Sequence, residues 1–135
     1  MDVIYSKEVI RGLYEYLDTL SNSYPISKKR AVEKLLKMNS ALLSIGENPN
    51  AYPICVHKDL GQRLNKNGEP KDKCLHRFNY QDESGFQWAF AYRVAENKGK
   101  VFVTKMMPAS LVKEDKSSAL QGILNLMERV MNIRR

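Results

Sequence analysis

Lys73, Arg77, Arg93 and Lys105 fall among aromatic and aliphatic residues that alternate along three short runs, 73–80, 86–94 and 100–107. Cations spaced in this way suit the neutralisation of a phosphate chain, because every phosphate met by Lys or Arg releases condensed counterions. Just before the first run, Lys58, Arg63, Lys66, Lys71 and Lys73 stand against three acids in a polar segment with Gly61, Gly68 and Pro70. A second constellation is the repeated Cys-x-His of Cys55-Val56-His57 and Cys74-Leu75-His76. Thiolate and imidazole there would suit zinc, or a nucleophile with its base. Structural zinc sites draw their cysteines closer together, and nothing visible lowers either thiol pKa, so neither a metal nor a cofactor is expected.

These residues need elements to position them. The opening Asp2-Val3-Ile4-Tyr5 is a short β-prone run ending at Ser6, a good helix cap. Ile10, Leu13, Tyr14, Leu17 and Leu20 then fall at helical spacing, and the segment from Ser21 to Pro25 breaks the helix. A second helix is capped by Ser27, carries Val32, Leu35, Leu36, Leu42 and Leu43 on one face, and ends with Gly46 at its C′ position. The polar segment 58–73 reads as a basic loop. The three runs after it are separated by turn residues with glycine, at 81–85 and 97–99, and predict an antiparallel meander. Leu120, Ile123, Leu124, Met127, Val130 and Met131 predict a last amphipathic helix over about 117–133.

Alternation fixes which side chains share a face. Pairing Gln81 with Gly85 sets Tyr80 against Phe86, Phe78 against Trp88, His76 against Phe90 and Cys74 against Tyr92, all on one aromatic face. The opposite face pairs Asn79 with Gln87, Arg77 with Ala89, Leu75 with Ala91 and Lys73 with Arg93. Setting Glu96 against Lys100 adds Lys105 across from Ala91, and leaves Phe102, Thr104 and Met106 with the aromatics. The two helices are expected to cover the aromatic face. The other face is then expected to stay open, with Lys73, Arg77, Asn79, Gln87, Arg93 and Lys105 around a floor of Ala89 and Ala91.

At 135 residues the chain fits one domain, 1–135, and 43% hydrophobic residues exclude a disordered chain. Its net charge of +7 favours polyanionic partners, and the excess sits in the middle, where 51–107 hold ten Lys/Arg against six Asp/Glu. Asp2, Lys7, Glu8 and Arg11 interrupt any leader-like apolar stretch, and no run reaches the ~18 apolar residues of a membrane span. A cytoplasmic protein with no membrane partner is the expectation. Its two cysteines would then stay reduced.

The order of strand, two helices, basic loop and three-stranded meander resembles the RelE/ParE superfamily of bacterial toxins over about residues 1–107. Val3-Ile4-Tyr5-Ser6-Lys7-Glu8 before an amphipathic helix is similar to the opening of such toxins. So is Gly85-Phe86 leading to Tyr92-Arg93-Val94 in their central hairpin. The end of the chain, from Lys105-Met106-Met107-Pro108 to Arg134-Arg135, looks more like the YafO branch. The resemblance implies an α+β fold and a toxin of a type II toxin-antitoxin system. It implies metal-independent cleavage of messenger RNA at the ribosome, and an acidic antitoxin as partner. Arg77 and Lys105 would carry catalytic charge, and His76 and Tyr80 would carry protons. Lys73, Arg93, Asn79, Gln87, Lys71, Lys66 and Arg63 would hold the RNA. Many relatives place arginine directly after the Gly-aromatic pair, where this chain has Gln87. Two other readings share the scaffold: a ParE-like inhibitor of a protein such as DNA gyrase, and a phage or regulatory protein that binds RNA without cutting it.

Overall fold

The computed structural model describes residues 1–23 and 27–113, so the C-terminal helix expected at 117–133 lies outside the described residues. Strand β1 is Asp2–Tyr5, helix α1 Lys7–Ser23 and helix α2 Lys28–Leu43. Strands β2, β3 and β4 are Leu75–Gln81, Gln87–Ala95 and Lys100–Pro108, with short 3-10 turns at Ser44–Glu47, Lys58–Leu60, Glu96–Lys98 and Ala109–Leu111. The α+β class stands. The meander is extended, however, into one mixed sheet of order β1-β4-β3-β2, in which β1 runs parallel to β4. The free edge of β4 gives the short β1 partners for its amides, with Asp2 donating to the Gly99 carbonyl at 3.1 Å and Ser6 to that of Val103 at 2.9 Å.

Both helix caps are as expected: Ser6 Oγ accepts from the Val9 amide at 3.1 Å, and Ser27 Oγ from that of Arg30 at 3.2 Å. The buried stripes are rotated from those expected. In α1, Val9, Tyr16 and Leu20 are buried with Leu13 and Leu17 packed beside them, while Ile10 and Tyr14 are exposed. In α2, Ala31, Met38 and Leu42 are buried, and Val32, Leu36 and Leu43 are exposed. Both helices carry more apolar residues than one sheet can cover, so spacing alone does not choose among adjacent stripes.

Gly46 does not end α2 as a left-handed C′ residue; it lies inside the turn Ser44–Glu47 with its carbonyl accepting from the Met1 amino group at 2.9 Å. A Cβ there would clash with the Met1 carbonyl oxygen. Glycine is required by that close approach. Gly46→Ala is therefore expected to push β1 off and lower stability by about 2 kcal/mol. Urea denaturation with an unchanged midpoint would contradict this contact.

The β2–β3 register differs from expectation by two residues. Gln81 pairs with Gln87, Tyr80 with Trp88, Phe78 with Phe90, His76 with Tyr92, Arg77 with Ala91 and Asn79 with Ala89. The turn is longer because Asp82 closes it: its Oδ1 accepts from the Ser84 and Phe86 amides, each at 2.9 Å. A shift of two leaves every side chain on its expected face. Between β3 and β4, Lys105 does oppose Ala91, but the register slips between Ala91 and Tyr92. Thr104 is the extra residue. Its carbonyl accepts from Ser6 Oγ at 3.1 Å and its own Oγ1 donates to the Ala91 carbonyl at 3.3 Å. Below this bulge Val101 and Val103, rather than Phe102 and Thr104, enter the aromatic core.

Candidate nucleic-acid interface

The sheet has two covered faces. On the helix side, Phe78, Phe90, Tyr92, Val101 and Val103 join the helices in the main core. On the other side a smaller core holds Cys55, Leu60, Leu75, Ala89, Ala91 and Val112. Ala89 and Ala91 are fully buried there, which corrects the expectation of an open alanine floor. Small side chains in β3 let the loop approach the sheet closely enough for Leu60 and Cys55 to sit on them. The surface available to a ligand is the outside of that loop and the cations at its margins.

Gln62 organises the loop. Its buried amide donates to the carbonyls of Cys55 at 2.7 Å and Asp72 at 2.9 Å, while its Oε1 accepts from the amides of Arg63 and Asp72, each at 3.0 Å. Beyond it, residues 63–71 form a small hairpin. Leu64 pairs with Pro70, the Lys71 amide donates to the Arg63 carbonyl at 2.7 Å, and Asn65 Oδ1 caps the tip by accepting from Asn67 and Glu69. Gly68 takes a φ of 79°, which only glycine adopts without strain. Lys58, Arg63, Lys66, Lys71 and Lys73 are all exposed on this loop. Two of its three acids are already engaged: Asp59 accepts from the Lys113 amide at 2.8 Å, and Asp72 pairs with Arg93. The loop therefore presents its positive charge outward.

Arg77 and Lys105 share one cross-strand row, each directly opposite Ala91 from its own side. Two strand spacings put their Cα atoms roughly 10 Å apart on the loop side of the sheet. Arg77 Nε donates to Asn79 Oδ1 at 3.0 Å, and Asn79 is itself exposed. Lys105 runs past Gly61, whose ideal Cβ position lies 4.0 Å from Lys105 Cγ, and its Nζ reaches Glu8 Oε2 at 3.0 Å. With those side chains 42% and 55% exposed, the pair is worth only about 0–1 kcal/mol, so a phosphate can displace Glu8. Arg93 is different, since its partner Asp72 is only 9% exposed. It clamps the loop to the sheet rather than offering a free cation. Gln87 is exposed at the far end of this face, opposite Gln81.

His76 and Tyr80 lie on the helix side, across the sheet from Arg77 and Lys105. His76 is 7% exposed, stacks on Tyr92 with ring centroids 5.2 Å apart, and its Nδ1 lies 2.7 Å from the Tyr52 carbonyl. It is a bonded core residue. Burial pushes the Tyr80 hydroxyl pKa up, and Asp82 adds to the shift. Alternation had already set residues 76 and 80 on the aromatic face, away from 77, and the structure keeps them there, across the sheet from Arg77 and Lys105. The other histidine, His57, is half-buried on the segment that covers the loop side. The sequence had marked it only as half of a Cys-x-His pair. Among the described residues no His, Cys, Asp and Glu cluster could hold a metal, and burial pushes the Cys55 thiol pKa up, which disfavours a nucleophile there.

No family model matches the chain, and no curated protein matches it.

Proposed function

We propose that the loop side of this protein binds the phosphate backbone of RNA. The single observation that carries the reading is the row Arg77–Ala91–Lys105, which sets two cations on one face beside the outward cations of the loop. Exposed lysines meet phosphates as mobile point charges, and Arg77 supplies a planar donor fork for bidentate contact.

The finer reading rests on the resemblance to RelE/ParE toxins: the RNA is a message on the ribosome, and the bound phosphate is cut. A ribose 2′-OH gives up its proton and attacks the neighbouring phosphorus. The 5′-oxygen leaves with a proton, and Arg77 and Lys105 stabilise the charge on the crowded intermediate. An acidic antitoxin would cover the same cations. Binding without cleavage is the second reading, favoured by the position of His76 and Tyr80 on the opposite face.

Induction of the wild-type chain in cells, with a translated reporter message followed for cut products, separates the two. Arg77→Ala and Lys105→Ala are each expected to lower cleavage by about 10²–10³-fold, as when one stabilising donor is removed, and to relieve growth arrest. Toxicity that survives both changes removes the cleavage reading. RNA bound without a cut product leaves the binding function alone.

A further inference from the structure

Helices α1 and α2, joined by residues 24–27, pack side by side as an antiparallel hairpin over the sheet. At 3.6 residues per turn, one flank of each helix is already taken. Gly12, Glu15 and Thr19 of α1 line a cleft with the end of β4, while Arg30, Lys34 and Lys37 of α2 gather beside Glu83 of the β2–β3 turn. The opposite flank of each helix therefore faces the other helix. On α1 that flank carries Ile10 and Tyr14, and on α2 it carries Val32, Leu36 and Leu43. All five are exposed, from 42% at Ile10 and Val32 to 65% at Tyr14. Together they make one apolar seam along the outside of the hairpin.

Both stripes repeat one pattern. Lys7 stands three and seven positions before Ile10 and Tyr14, and Lys29 stands three and seven positions before Val32 and Leu36. Because the helices run antiparallel, the two lysines mark opposite ends of the seam. Arg11 and Lys28 add to those ends, while Asp18 and Glu33 lie between them. None of these four cations forms an ion pair with the described residues. From Lys29 to Leu43 the seam runs roughly 21 Å, the length of a helix of about 14 residues. Seam against seam in a second copy would set lysine against lysine at each end, whereas a helix with carboxylates at both ends finds a cation at each. Contiguous exposed apolar surface marks such a contact, and an amphipathic helix meets it through an apolar stripe. We propose that the seam docks an amphipathic helix of another protein, about four turns long and acidic at both ends. It lies across the sheet from Arg77 and Lys105, so this partner and RNA are held at the same time.

The probe is a fluorescein-labelled peptide of about 15 residues, with leucines at i, i+4, i+7 and i+11 and a glutamate pair at each end, titrated with the full chain and followed by anisotropy. The wild type is expected to bind it with a Kd of about 10 μM. Tyr14→Glu/Leu36→Glu changes two exposed side chains, so the melting temperature should stay within about 2 °C while binding weakens more than about tenfold. Lys7→Glu/Lys29→Glu is expected to lose this peptide and to gain the same peptide with lysine pairs at its ends, an exchange that indiscriminate apolar contact does not produce. The titration is made without RNA, so its failure is separate from any failure of RNA binding. Saturating peptide is expected to leave RNA affinity unchanged. No wild-type binding below about 1 mM, equal wild-type affinity for the two peptides, or competition between peptide and RNA overturns the proposal. So does self-association that Tyr14→Glu/Leu36→Glu abolishes, which gives the seam to a second copy. Binding of phosphatidylglycerol vesicles that the same variant abolishes gives it to a membrane surface and overturns the proposal too.

Discussion

Replacing Arg63, Lys66 and Lys71 together by alanine is expected to weaken binding of a single-stranded RNA about 50-fold at ~0.15 M salt, at about 0.7 counterion released per phosphate contact. The three side chains are exposed on the 63–71 hairpin and form no ion pair with the described residues. The hairpin itself is held by backbone bonds and by Asn65, which the substitutions leave in place. Stability should therefore move by no more than about 0.5 kcal/mol, the ordinary range for surface changes. Fluorescence anisotropy with a labelled oligonucleotide measures the affinity. A loss below twofold would mean that RNA does not touch the hairpin.

Gln62→Leu is expected to cost about 3 kcal/mol, because it strands two carbonyls and two amides in and around the buried loop core. For a domain of this size the melting temperature falls by roughly 10 °C. The loop should become the first site of proteolytic nicking, since its anchors to Cys55 and Asp72 are lost together. RNA affinity then falls as well, although Gln62 faces inward and touches no ligand. Thermal melting within about 2 °C of the wild type would show that the loop is held by Leu60 and Arg93 alone.

The positions of these two predictions show what could be read from the order of residues and what could not. Alternation in the three runs assigned Arg77, Asn79 and Lys105 to one face and the aromatics to the other, because a pleated strand allows no third choice. The turn length was misjudged at Asp82, whose side chain extends the loop by accepting two amides. Phe102 was placed on the wrong face because a bulge at Thr104, stabilised by Ser6 nearly a hundred residues earlier, has no local signal. The pairing of β1 with β4 is also a long-range event. Ala89 and Ala91 were correctly singled out as odd strand residues, but their smallness admits the chain's own Leu60 and Cys55, not a ligand. Gln62 gave no warning at all; a glutamine in a polar stretch looks solvated until four backbone partners surround it.

The central claim is electrostatic and is tested most directly by the salt dependence of RNA binding. Affinity of the wild-type chain for a short single-stranded RNA would be measured from low to high salt, beside Arg77→Ala/Lys105→Ala. The expected logarithmic slope is about −3 or steeper for four or more phosphates, and the double variant should flatten it by about 1.4. A wild-type slope near zero, or a double variant whose slope matches the wild type, would contradict the assignment of this face to an RNA backbone.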